Sequence, residues 1–322
     1  MSDQHDEAPR GGVSVAAAAD RTSPQDSRPL PGGGADLPAE SMGAADLIRI
    51  AVAQTDVTTD PRENGRAIRA AMRTAADQDA RLVHCAEGSL SGYIGPAKDH
   101  FRGWDIDWDL IAVELRRTMD LARELHLWAV VGGNHRLEHT RPHNSLWIIN
   151  DHGQMVDRYD KRYLSHSEVS GFYTPGFTPC TFEVDGFRFG TLLCVEIQFG
   201  ELWVEQRDLG VDCVLFSSYS EDPIFDVIAR GNAAANSYWV SVAVPAPCSA
   251  AMASTVIGPH GLHLAQANPG EADLLCVDLD RSEPALDVAL NKAAPWRRRA
   301  ATGVLYAPHR STETRSTDHT LI

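Results

Sequence analysis

The run Phe189-Gly190-Thr191-Leu192-Leu193-Cys194-Val195-Glu196-Ile197-Gln198-Phe199-Gly200-Glu201-Leu202 passes from an apolar approach to an acidic departure at a single thiol. It reads as a strand ending at Cys194, followed by a helix over about 199–208. A cysteine at such an elbow is placed to act as a nucleophile, exposed to substrate and near a helix N-terminus that favours thiolate. A lone cysteine behind a strand is more often an inert core residue, so the rest of the chain has to decide between the two.

Outward from that elbow, strand and helix patterns alternate. Residues 47–54 alternate apolar side chains as a strand, and Asp60-Pro61 supplies an N-cap and a first-turn proline for a helix over 61–78, with Ala67, Ile68, Ala71, Met72 and Ala75 at helical spacing. A short strand over 82–85, a helix over 108–126 and a strand over 128–132 follow. Two hairpins are predicted next, 145–149 with 155–159 around Asn150-Asp151-His152-Gly153, and 181–184 with 187–193 around Asp185-Gly186. Beyond the elbow come a strand over 211–217, a helix over 224–236, and strands over 239–244, 254–258, 262–266 and 273–279. Two apolar strand sets with helices between them predict a layered α/β domain, helices outside and sheets packed inside.

Composition narrows the function. The 322 residues are 43% hydrophobic and 23% charged, ordinary for a globular chain with a large core. Residues 1–46 differ: rich in Gly, Pro, Ala and Ser, they predict a disordered tail. Eight acidic and three basic side chains fall there, and −10 of the formal charge of −15 belongs to the remaining chain. Such acidity argues against a nucleic-acid partner, and the basic run Arg297-Arg298-Arg299 reads as a solvated or interface turn. No stretch approaches the roughly 20 apolar residues of a membrane span, so no membrane partner is expected. Six scattered cysteines without a C-x-x-C pair suggest neither disulfides nor zinc, and a reducing cytoplasm is the simplest compartment.

A thiol that attacks a carbonyl or nitrile carbon needs a base and a donor for the developing negative charge. None of the 13 histidines stands in a recognisable cysteine-protease context. Carboxylates fit better: Glu87 directly follows the strand over 82–85, and Lys161 follows the strand over 155–159. Either alone is ordinary surface charge. Together with Cys194, each ending a predicted strand, they resemble the Glu-Lys-Cys set of the nitrilase superfamily of carbon-nitrogen hydrolases. The resemblance covers about 47–305. It includes Gln54, the Glu87 to Gly92-Tyr93 segment, Tyr159-x-Lys161 with Leu164 and Glu168, Phe199-x-Glu201-Leu202, and Ser254 through Pro259-x-Gly261. Ala86, Gly200 and Val195 stand where the family commonly has a proline, a proline and an aromatic residue.

This resemblance implies a four-layer α-β-β-α sandwich over 47–305, with a C-terminal tail over 306–322. It implies that Glu87 is the general base, that Lys161 and the backbone N–H of Val195 stabilise the oxyanion, and that Cys194 forms a thioester. Glu168 matches a second glutamate that positions substrate or supports the lysine. No metal or organic cofactor is required, and subunits are expected to pair into a homodimer or larger assembly. The implied activity is hydrolysis of a small linear amide or N-carbamoyl amine, with ammonia released. A nitrile substrate, or a catalytically silent oligomeric binding protein, are the alternatives. Ile197 and Gln198 occupy positions where carbamoyl-amino-acid hydrolases carry arginine, which disfavours that substrate. Tyr173, Tyr219 and Glu221 are placed as pocket-lining candidates, and Arg230 and Asn236 as structural braces. His135, His139 and His143 recur every fourth residue, but Gly132-Gly133 and Pro142 argue for a loop over a helical metal site.

Overall fold

Alternation in the first strand sorts two cores. In β1 (Leu47–Gln54), Ile48, Ile50 and Val52 face one side, while Ala51 and Ala53 face the other. The first set joins the apolar layer between two sheets, and the second meets helices. The computed structural model describes residues 46–94 and 106–321. All but the last position of the N-terminal tail expected over 1–46 lies outside them.

Strands β2 (Leu82–Cys85), β3 (Trp128–His135), β4 (His143–Ile149), β5 (Met155–Asp160) and β12 (Asp273–Asp280) join β1 in a six-stranded sheet ordered β12-β1-β2-β3-β4-β5. The second sheet, ordered β11-β10-β9-β8-β7-β6, comprises β6 (Thr181–Val184), β7 (Phe187–Leu193), β8 (Cys213–Ser217), β9 (Trp239–Ala243), β10 (Thr255–Ile257) and β11 (His263–Gln266). Within each sheet three central strands run parallel, β1-β2-β3 and β7-β8-β9, flanked by antiparallel neighbours.

Helices α1 (Pro61–Asp77) and α2 (Trp108–Leu125) bury Ile68, Met72 and Leu121 on the first sheet. Helices α3 (Gly200–Asp208) and α4 (Ile224–Asn236) bury Leu202, Trp203, Phe225 and Ala229 on the second. The chain is therefore the expected α-β-β-α sandwich. As predicted, Asp60 caps α1, its side chain accepting from the Arg62 N–H, and Pro61 opens the helix.

The apolar layer between the sheets holds a polar island. His84 of β2 meets Ser241 at 2.9 Å through Nδ1 and Ser217 at 2.8 Å through Nε2. Ser217 donates onward to the Cys85 carbonyl, so its oxygen accepts from Nε2–H, and Nδ1 accepts from Ser241. Burial drives the imidazole pKa down to about 3, and the ring is neutral.

Other departures from expectation are local. The histidine segment is a loop only over 136–142: β3 and β4 reach to His135 and His143, which pair with their rings stacked at 6.4 Å, while His139 lies exposed in the loop between them. Arg297 is not in a turn but on α5 (Ala294–Ala301), where its guanidinium donates to the carbonyls of Ala234 and Ala235 at the end of α4. Residues 306–322, expected as a tail, are largely exposed where described, with short helical turns at Ala307–His309 and Thr314–Thr317. Arg230 donates to the Gly261 carbonyl and Asn236 to the Asn232 carbonyl and Tyr238 hydroxyl, which are structural ties.

Candidate active site

Glu87, Lys161 and Cys194 each leave the carboxyl end of a strand, β2, β5 and β7 respectively, where side chains enter the crevice above a parallel sheet. The Glu87 turn is stitched onto β3: the Ser89 hydroxyl accepts from the Gly132 N–H, and the Leu90 N–H donates to the Gly132 carbonyl. Two glycines permit the closeness. A Cβ on Gly132 would collide with the Ala86 carbonyl, and Gly88 turns at φ +66° against the Gly92 backbone.

The ammonium of Lys161 lies 3.0 Å from Glu87 Oε1 and 2.7 Å from Glu168 Oε1, and all three side chains are buried. Burial alone would push Lys161 down, but the nearby charges, Glu87 foremost and Glu168 with it, outweigh it and hold the ammonium well above the ordinary lysine range. Burial also pushes the Glu168 carboxyl up. Lys161 and the Ser165 N–H, donating at 2.8 Å to Oε2, reverse that and leave it below the usual value. Glu87 goes the other way: burial and the charge of Glu168 raise it despite Lys161 and Asn144. The pair of carboxylates around one cation is thus split into a firmly ionised partner and a more basic one.

Glu87 uses its oxygens unequally. Oε1 accepts from Lys161 and from Asn144 Nδ2 at 2.7 Å, whereas the buried Oε2 has no partner among the described residues. Asn144 was not singled out by sequence. One asparagine at the start of an apolar strand carries no signal of its own.

Cys194 has φ +47°, a left-handed conformation that costs a non-glycine residue about 1–3 kcal/mol and recurs at functional turns. The helix expected over about 199–208 is present as α3, from Gly200, but it does not depart from Cys194 directly: a five-residue 3-10 turn, Cys194–Gln198, intervenes. Burial and the Glu87 charge raise the thiol to about 12, against smaller downward pulls from Lys161, the Ser218 hydroxyl and the Tyr219 backbone. The expected thiolate-favouring helix end is therefore absent in effect. The resting sulfur is protonated and needs a base.

The elbow is pinned to the lysine loop by Glu196, another residue that sequence reading passed over, because an acid at a helix start looks solvated. It is fully buried, and its carboxylate accepts from the N–H groups of Leu193, Arg162 and Tyr163 and from the Tyr159 hydroxyl. One carboxylate thus fixes the positions of both Lys161 and Cys194 across the two sheets.

The pocket-lining candidates fall unevenly. Tyr173 is buried, and its hydroxyl accepts from the Ile94 N–H at 3.0 Å, so it braces the Glu87 turn. Tyr219 is half-buried and stacks on Tyr93 with ring centroids 5.2 Å apart, and the Tyr93 hydroxyl reaches Glu168 at 3.2 Å. Glu221 lies exposed beyond it, 4.0 Å from the Cys248 sulfur. Val195 is half-buried directly after the thiol. Among the described residues no group of three His, Cys, Asp or Glu side chains could hold a metal ion.

A similar arrangement of layers exists in solved structures. An amidase from Nesterenkonia sp. matches with TM-score 0.65 at 21% identity, covering 79% of this chain and 96% of that one. A variant of the amidase from Nesterenkonia sp. AN1, solved with butyramide, matches with TM-score 0.65 at 22% identity over 78% and 96%. Another variant carries the acetamide moiety of fluoroacetamide on its active-site cysteine, with TM-score 0.65 and 21% identity over 79% of this chain and 97% of that one. The glutamine-dependent NAD+ synthetase from Acinetobacter baumannii matches with TM-score 0.62 at 21% identity over 73% of this chain, which spans only 46% of that protein. The sequence pattern of the carbon-nitrogen hydrolases matches residues 49–285. By that match and by its fold, the chain belongs to the carbon-nitrogen hydrolase family, within the nitrilase superfamily.

Proposed function

We propose that this protein hydrolyses a small linear amide or N-carbamoyl amine through a thioester on Cys194. The observation that carries the reading is the buried Lys161 held between Glu87 and Glu168 at 3.0 and 2.7 Å, within electrostatic reach of a thiol kept protonated until a base acts. Glu87 takes the thiol proton as sulfur attacks the carbonyl carbon, and the carbonyl electron pair moves onto oxygen. Lys161 and the Val195 N–H stabilise that oxyanion. When it collapses, the C–N bond breaks and Glu87 returns the proton to the departing nitrogen. Glu87 then removes a proton from water, which attacks the thioester; the acid leaves, and the thiol regains its proton.

Amide substrates are favoured over nitriles by the Nesterenkonia relatives, solved with butyramide and with an acetamide adduct. Ammonia release from a panel of amides, carbamoyl amines and nitriles, run on wild type and Cys194→Ala, tests this. Turnover of amides lost in the variant is expected; turnover that survives it contradicts the reading. The same reading includes a reducing cytoplasm and pairing of subunits. A monomer by light scattering at micromolar concentration would contradict the pairing.

A further inference from the structure

Asn144 touches both charged members of the site. Antiparallel pairing of β4 with β5 puts Ser145 opposite Asp160, so Asn144 lies across from Lys161, and its carbonyl accepts from the Lys161 N–H at 2.8 Å. Its carboxamide turns the other way and donates to Glu87 Oε1 at 2.7 Å. The residue is buried, and the neighbouring His143 ring is tied to the Thr174 carbonyl at 2.8 Å, which fixes the strand on that side. With two donors on Oε1 that oxygen is saturated, while Oε2 is equally buried and unpartnered among the described residues. A buried carboxylate oxygen without a protein partner carries a desolvation penalty unless something in the reaction cycle engages it.

We propose that Asn144 is a positioning residue that, with Lys161, locks Oε1 of Glu87 and so reserves Oε2 as the oxygen that accepts the Cys194 proton. This rests on the hydrolase reading of the site. The carboxamide fixes the rotation of the carboxylate and favours its ionised form, while Lys161 remains free to orient its remaining N–H bonds toward the oxyanion and Glu168. The other titratable groups facing Glu87 are Lys161, Glu168, Cys194 and the tyrosines Tyr93, Tyr173 and Tyr219. None of the three tyrosines ionises near neutrality, since burial raises each of them. Of these neighbours Lys161 and Asn144 are the ones that bond Oε1, and Asn144 does so without a charge.

The test reads proton transfer without any assumed substrate. Iodoacetamide alkylates the sulfur, forming an S–C bond with loss of iodide as Glu87 takes the proton, and peptide mass spectrometry measures the rate at Cys194 across pH. In wild type the rate should rise through a single acidic limb that Glu87→Gln abolishes. Asn144→Ala removes a donor to the ionised carboxylate, so the limb should move up by about one pH unit, giving about tenfold slower alkylation on its acidic side. Asn144→Asp keeps the volume and sets a second carboxylate against the first, so its limb should move further in the same direction. If the alanine variant does not fold, the isosteric aspartate carries the test. Limbs that superimpose on wild type, or a lowered melting temperature with an unmoved limb, overturn the inference. Failure of the hydrolase reading shows up separately, as amide turnover that is insensitive to Cys194→Ala.

Discussion

The two sheets contribute differently to the site. The sheet containing β1–β5 delivers charge: Glu87 and Lys161 follow its strands, and Glu168 and Asn144 join them in a buried network in which each charge has a partner. The sheet containing β6–β11 delivers the thiol on a strained turn, where the Ser218 hydroxyl and the Tyr219 backbone hydrogen-bond to it. A buried charged cluster is stable only when complete, since removing one member leaves the others uncompensated. A strained neutral elbow can lose its side chain with little structural consequence. Function needs the two halves held in register, and the polar ties between the sheets that do this include Glu196 beside the site and the His84 island beneath it.

The contrast predicts unequal consequences. Lys161→Met should lower amide turnover about a thousandfold or more through the lost oxyanion donor. It should also cost about 3–5 kcal/mol of stability, measured by denaturant unfolding, because it strands two buried carboxylates. Cys194→Ala, equally inactive, should unfold at nearly the wild-type denaturant concentration. Equal destabilisation by both substitutions would erase the distinction between the halves.

Glu196→Gln should sever part of the tie between them. An amide can accept at only one end, so at least one of the N–H groups of Leu193, Arg162 or Tyr163 loses its partner, at about 1–3 kcal/mol. Turnover should fall about a hundredfold with the binding constant for a non-reactive amide little changed, since distance between the halves is what suffers. Loss of binding without loss of maximal rate would contradict a role for Glu196 in holding the two halves together.

His84 sharpens the comparison through pH. Its folded value of about 3 lies below the ordinary 6.5, so between those values the unfolded chain binds a proton that the folded one refuses. Stability is full above the ordinary histidine range and falls as pH drops through that window, by about 1.4 kcal/mol per unit. His84→Asn should flatten that slope in thermal melts taken at successive pH values. The smallest effect is expected at Tyr219, where Tyr219→Leu removes the ring stacked on Tyr93 and should raise KM about fivefold, with kcat nearly unchanged.

Most of the scaffold is legible in the sequence because its signals are local. The alternation of β1 and the Asp60-Pro61 start of α1 agree with the structure to within a residue, and Glu87, Lys161 and Cys194 are marked by their places at strand ends. What escapes pattern is set by buried side-chain contacts that periodicity does not encode. The π-helical turn Glu168–Phe172 exists where Glu168 reaches back to Lys161 and Ser165, and the 3-10 turn after Cys194 follows from Glu196 collecting donors from two loops. β3 and β4 run on to His135 and His143 because each pairs with the other, although glycines and a proline interrupt their propensities. Asn144 and Glu196 are single polar residues in ordinary settings, and only burial discloses their roles. The interval 95–105 lies outside the described residues.

The fate of the Cys194 sulfur is the most direct test of carboxylate-activated thiol chemistry. Wild-type protein and Glu87→Gln, each incubated with a slowly hydrolysed amide, quenched in acid and digested, should differ in one respect. The wild-type Cys194 peptide should carry the mass of the acyl group, and the peptide from Glu87→Gln, lacking the base, should remain a free thiol. An acyl group on a cysteine other than Cys194, or equal acylation of Cys194 in both proteins, would contradict the claim that a carboxylate from one sheet activates the thiol of the other.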